Sequence, residues 1–80
     1  MLNPCVIVTG ASKGIGAAIS KMLEQRGLSV IGLSRSGESA AGEGRVCDMT
    51  DEPSVRETIA AIGLERNITG LVNNAGISIG

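Results

Sequence analysis

Thr9-Gly10-Ala11-Ser12-Lys13-Gly14-Ile15-Gly16 decides how this chain is read. Before it stands Pro4-Cys5-Val6-Ile7-Val8, a short run rich in β-branched residues that predicts a strand buried on both faces. From Ile15 to Arg26 the period changes. Ile15, Ala18, Ile19, Met22 and Leu23 recur at helical spacing and predict one apolar face, with Lys21, Glu24 and Gln25 opposite. Gly27 stands where a helix end takes a left-handed residue. Between strand and helix, Gly10, Gly14 and Gly16 allow a sharp turn and keep Cβ atoms away from the free N–H groups at the positive helix end. That arrangement predicts a cradle for a pyrophosphate. Its spacing, G-x-x-x-G-x-G, differs from the G-x-G-x-x-G dinucleotide fingerprint and from the Walker loop, in which the lysine follows its glycine.

Outward from the turn, Ser29-Val30-Ile31-Gly32-Leu33 predicts a second strand and closes a βαβ unit of about thirty residues. An acid after this strand would hold the ribose hydroxyls of NAD and repel the extra phosphate of NADP. Here the chain reads Ser34-Arg35-Ser36, with no acid before Glu38. A guanidinium flanked by hydroxyls suits a 2′-phosphate, and Lys13 in the glycine turn offers a second positive charge. Lys13, Ser34 and Arg35 therefore favour NADP over NAD, against the plainer reading of solvated surface charges. Ser34 to Gly44 is rich in Gly and Ser and reads as a loop. Arg45-Val46-Cys47 is a third strand, so about 10 residues join strands two and three, the lower limit for a parallel crossover. No crossover helix is expected there, and that part of one sheet face is expected to be thinly covered. Thr50 or Asp51 caps a second helix, with Glu52 and Pro53 in its first turn and Val55, Ile59 and Ile62 as its buried stripe. Gly63 marks its end, or a break before Leu64-Glu65-Arg66-Asn67. Ile68-Thr69-Gly70-Leu71-Val72 is the fourth strand, and Asn73-Asn74-Ala75-Gly76 follows it.

Three of these motifs, in order, carry a family resemblance: Thr9-Gly10-x-x-x-Gly14-x-Gly16 after the first strand, Asp48 before an apolar residue after the third, and Asn73-Asn74-Ala75-Gly76 after the fourth. The chain resembles the N-terminal part of the short-chain dehydrogenase/reductase family. The resemblance implies that Ser12, Lys13 and Ile15 line the turn under the cofactor. It implies further that Asp48 and Met49 meet the adenine, and that Asn74, Ala75 and Gly76 flank the adenosine ribose. Asn73 in this family mainly ties the fourth strand to its neighbours. Taken on their own residues, Asp48 also reads as a strand-end turn residue and the two asparagines as turn formers.

The family's catalytic serine and its tyrosine-x-x-x-lysine lie beyond the Asn-Asn-Ala-Gly motif. This chain has no tyrosine, and no histidine to replace it as acid or base. Its serines have no base beside them in any recognisable motif, which argues against a hydrolase. The resemblance thus implies the cofactor-binding portion of an NADP(H)-dependent oxidoreductase, truncated after the fourth strand. Its parent would move hydride between nicotinamide and a carbonyl or secondary alcohol. The alternative is a non-catalytic fragment that binds nucleotide or associates with itself.

With 80 residues, 42% of them hydrophobic and none aromatic, the core must be built from Val, Ile, Leu, Ala and Met. Domains near this size bury only about 60% of their unfolded surface, so such a core is thin. Right-handed crossovers give an α/β fold with strand order 3-2-1-4, the N-terminal half of a doubly wound Rossmann-type parallel sheet, as one partial domain over residues 1–80. The fourth strand is expected to present a bare edge and to seek a partner by self-association, strand exchange or aggregation. A net charge of −1 without a basic stripe gives no support for nucleic-acid or membrane binding. No apolar stretch approaches the ~20 residues of a membrane span, no secretory pattern opens the chain, and cytoplasm is the default location. Cys5 and Cys47, on strands one and three with strand two between them, are expected at least about 9–10 Å apart, too far for a disulfide. Without histidine there are too few ligands for a zinc site.

Overall fold

A computed structural model describes residues 2–73. Its elements follow the order β1 (Asn3–Thr9), α1 (Gly14–Gln25), β2 (Val30–Ser34), β3 (Glu43–Val46), α2 (Glu52–Glu65) and β4 (Arg66–Val72). The four strands form one sheet in the order β3-β2-β1-β4, every pairing parallel. This is the order that right-handed crossovers predict.

Alternation along the inner strands divides the core between the two faces of the sheet. Cys5, Ile7, Ile31 and Leu33 point to one face, where Ile62 of α2 joins them with Cys47 and, at the margin, Val55, Ile59 and Ile68. Val8, Ala11 and Val30 point to the other, with Ile19 and Leu23 of α1 and Val6 and Val72 at the margin. Both cysteines are buried free thiols. Burial is the main influence raising the Cys5 thiol above its ordinary range.

The apolar face expected on α1 is rotated. Ile15 and Met22 are exposed, as is Ala18, whereas Gly16 and Ser20 are buried with Ile19 and Leu23 beside them. Small residues at 16 and 20 bring the helix close to the sheet. The buried Ser20 hydroxyl finds its acceptor in its own helix, donating to the Gly16 carbonyl at 2.9 Å. The helix ends as expected: Gly27 has φ 87°, its N–H donates to the Glu24 carbonyl, and the Leu28 N–H reaches back to Leu23. Those two bonds make a Schellman cap.

The second helix differs from expectation at its far end. It runs through Gly63 to Glu65, and β4 begins at Arg66 without an intervening loop. Glycine costs a helix only about 1 kcal/mol relative to alanine, and Ile62, fully buried one residue earlier, holds the last turn in place. Neither Asp51 nor Thr50 caps this helix through its side chain among the described residues. Pro53 does stand in the first turn, where its missing N–H costs nothing.

Residues 35–42 join β2 to β3 without a helix, and the thin cover expected there is seen at β3, where no residue is buried and Val46 is 69% exposed; over β2 the segment does give cover. They fold back over Gly32. A Cβ on Gly32 would collide with Ser39 Oγ and lie 2.6 Å from the Ala11 Cβ, so the side chain missing at 32 is the seat of Ser39. Ala41 beyond it is buried.

Candidate functional site

The carboxyl ends of parallel strands and the turns that follow them are where α/β sheets bind ligands. In this chain a cleft of about 360 Å³ opens there, lined by Gly10, Ser12, Lys13, Ser34, Arg35, Ser36, Met49 and Thr50. Three separate loops converge on it: the glycine turn after β1, the turn after β2 and the turn after β3.

The glycine turn owes its shape to two left-handed residues, Gly10 at φ 65° and Gly14 at φ 64°. Nothing lies within 4 Å of where a Gly14 Cβ would stand, so the conformation and not crowding demands glycine there. The turn is anchored on β2, since Gly10 and Ala11 both donate to the Leu33 carbonyl, at 2.9 and 3.5 Å. Helix α1 then opens at Gly14 with Lys13 as an extended N-cap that makes no side-chain capping bond, and its first turn contains no acid. The first N–H groups of a helix have no intrahelical acceptor and carry the positive end of its dipole. Anionic oxygen suits that position.

The turn after β2 presents Arg35, whose side chain is 76% exposed. Ser34 also lines the cleft, but its hydroxyl donates to the Glu38 carbonyl at 2.8 Å. Its proton is thereby committed. Ser36 accepts from the Glu38 N–H at 3.2 Å and keeps its own proton for Ser34 Oγ, 3.4 Å away, or for a ligand.

Asp48, after β3, is bent into an Asx turn: Oδ1 accepts from the Thr50 hydroxyl at 2.6 Å and from the Thr50 N–H at 3.0 Å. Those two bonds hold the carboxyl below its usual range, and Arg35 adds a smaller pull in the same direction. Thr50 escapes a sequence reading because it looks like a helix cap; the Asp-x-Thr spacing is the signal that reveals it. On the far side, Thr9 Oγ1 lies 3.2 Å from Asn73 Oδ1 and 3.4 Å from the Val72 carbonyl, joining the ends of β1 and β4.

Of the residues singled out in the sequence, Gly10, Ser12, Lys13, Ser34, Arg35 and Met49 line one cleft, and Asp48 touches it through Arg35. Gly14 and Ile15 stand exposed at the helix start, while Gly16 is buried as a packing residue. Asn74, Ala75 and Gly76 lie outside the described residues. Among the described residues no group of three His, Cys, Asp or Glu side chains is placed to hold a metal. No described helix is long and apolar enough to cross a membrane.

The family model for short chain dehydrogenases matches residues 4–80. The chain belongs to the short-chain dehydrogenase family. Among curated proteins it is 43% identical to the 3-oxoacyl-(acyl-carrier-protein) reductase FabG of Vibrio harveyi, over 90% of this chain and 34% of the reductase. It is 38% identical to a 3-ketodihydrosphingosine reductase of Bacteroides thetaiotaomicron, over 94% of this chain and 29% of that protein. A chicken protein, dehydrogenase/reductase SDR family member 11, is 34% identical over 90% of the chain and 34% of its own length. The chain thus spans about a third of the relatives it matches. Membership makes it part of an oxidoreductase family whose members bind NAD(P) dinucleotides.

Proposed function

We propose that this chain is the cofactor-binding portion, a partial Rossmann-type domain over residues 1–80, of an NADP(H)-dependent short-chain reductase. The observation that carries the reading is the convergence of Lys13 and Arg35 on one cleft beside an uncapped helix N-terminus. The helix start would receive the pyrophosphate, with Gly10 and Gly14 shaping the turn and Gly16 packing the helix behind it. Arg35, Lys13 and the Ser36 hydroxyl would receive the 2′-phosphate, and Asp48 with Met49 would border the adenine. Asn74, Ala75 and Gly76 would flank the ribose. When bound, the cofactor supplies hydride chemistry. In the parent enzyme that hydride would pass between nicotinamide and a carbonyl or secondary alcohol; the similarity to two ketone reductases supports this direction.

The choice of NADP over NAD rests on charge. A guanidinium gives charge-assisted hydrogen bonds to a phosphate and no acid stands at the end of β2 to hold ribose hydroxyls instead. Calorimetry on the chain tests it: NADPH should bind and 2′,5′-ADP should compete, whereas failure of both to bind would refute the reading. Catalysis is tested separately by the coding sequence beyond Gly80. A serine and a tyrosine-x-x-x-lysine downstream would support the reductase; a stop codon would leave binding alone.

The sheet order leaves β4 at one edge, with alternate residues along it exposed. We infer that the chain, as an isolated species, associates through this edge, because unpaired strand edges template pairing. Sedimentation at tens of micromolar should show oligomers, and a single monomeric boundary would contradict the inference.

A further inference from the structure

The glycine turn and the segment after β2 meet again beyond the Leu33 carbonyl that anchors the turn. Ala11, inside the glycine turn and fully buried, accepts from the Ala40 N–H at 3.1 Å. Ser39, beside Ala40, fills the notch over Gly32, so tightly that a Cβ at 32 would lie 2.7 Å from the Ser39 Cβ. The Ser39 hydroxyl donates to the Ala41 carbonyl at 2.6 Å, which closes the turn around the seated side chain.

Upstream of Ser39 the segment is a compact unit. The Gly37 N–H donates to the Ser34 carbonyl, the Ser34 hydroxyl to the Glu38 carbonyl, and the Glu38 N–H to Ser36 Oγ. Arg35 rides on this unit. The unit is also tied to the third strand's end by the Cys47 N–H on the Ser34 carbonyl at 2.8 Å, and Gly37 packs near Val46 and Gly44 of β3, the edge strand of the sheet. Arg35 is related to the turn that bears Lys13 through the Gly10 and Ala11 bonds to the Leu33 carbonyl, and the contact through Ser39 and Ala40 holds the outer part of the segment against that same turn.

We propose that Ser39 is a positioning residue for discrimination of the 2′-phosphate: seated over Gly32 and against Ala11, it fixes the distance between Arg35 and the glycine turn. It touches no ligand itself. The inference rests on the NADP reading above and adds a specificity determinant outside the cleft. Its physical basis is that close-packed contacts do not deform gradually, so a larger side chain at 39 must lift the segment.

The test is a set of calorimetric titrations with 2′,5′-ADP and 5′-AMP on the wild-type chain, Ser39→Val, Arg35→Ala and the double variant. Charge-assisted bonds to the 2′-phosphate predict a wild-type preference for 2′,5′-ADP of about tenfold or more. Ser39→Val should bring that preference to within about twofold, with 5′-AMP affinity changed less than about threefold, and should add nothing in the Arg35→Ala background. A purely structural role would weaken both ligands together. An unchanged preference in Ser39→Val, or an equal loss with Arg35 already removed, overturns the proposal. Should circular dichroism show Ser39→Val unfolded, Ser39→Gly decides the matter: emptying the notch should lower the preference at least about threefold, and full retention overturns the proposal. A wild-type chain that does not distinguish the two ligands overturns the NADP reading and this inference together, whereas a failure at Ser39 alone leaves the NADP reading standing.

Discussion

Asp48 Oδ1 lies 3.9 Å from Arg35 Nε, so the carboxylate after β3 and the guanidinium after β2 face each other across the mouth of the cleft. Both side chains are at least half exposed, and such a pair contributes little to stability. Its importance is in placement. Asp48 is held chiefly by Thr50, with a smaller pull from Arg35, so the carboxylate keeps its place if the arginine turns to an anionic ligand.

The Thr50 bonds make a prediction about pH. They hold the folded Asp48 pKa below the ordinary value of 3.8, so their stabilisation is present above that value and is lost as pH falls through the lower, folded pKa. Between about pH 5 and about pH 3 the wild-type urea midpoint should therefore fall further than that of Thr50→Val. The variant keeps the residue 50 N–H bond and loses the hydroxyl bond, so equal falls in the two proteins would remove the Thr50 hydroxyl as the main cause.

Gly14→Ala isolates backbone strain. The position has φ 64° and open space around the missing Cβ, so alanine should cost about 1–2 kcal/mol from conformation alone. Equilibrium denaturation measures this directly. A loss under about 0.3 kcal/mol would mean the turn relaxes to another shape.

Ile62→Ala tests how α2 is held to the sheet. Ile62 is the one fully buried side chain of α2, set against Cys5, Ile7, Ile31, Leu33 and Cys47. Truncation should cost about 2–5 kcal/mol, a large share of what so small a core provides. The exposed Leu64, two residues on, should tolerate alanine with a change within about 0.5 kcal/mol. Similar losses at 62 and 64 would contradict the described face of α2.

The order of the strands was legible because β1 and β2 are short, continuous apolar runs on either side of one helix, and crossover handedness then leaves one arrangement; the bounds were less so, since β3 is Glu43–Val46 with one apolar residue and β4 starts at Arg66 directly after α2. The cleft was legible because glycine spacing, Arg35 and Asp48 all fall at strand ends. The face of α1 was not. Hydrophobicity points to Ile15 and Met22, but Gly16 and Ser20 lie inward, since close approach to a sheet favours small side chains over apolar ones. The seat of Ser39 over Gly32 was equally hidden: a serine in a Gly-Ser-rich stretch carries no sign of its packing, and Gly32 reads as one more residue of an apolar strand. Gly63 misled for the opposite reason, as a residue that usually ends helices but here follows the deepest side chain of α2.

Arg35 carries the proposed preference of the cleft for NADP. Its most direct test is calorimetric comparison of NADPH and NADH on the wild-type chain and on Arg35→Ala. NADPH should bind the wild type about tenfold or more tightly than NADH, and Arg35→Ala should abolish most of that difference while leaving NADH affinity nearly unchanged. Equal binding of the two cofactors by the wild type, with no loss on Arg35→Ala, would contradict it.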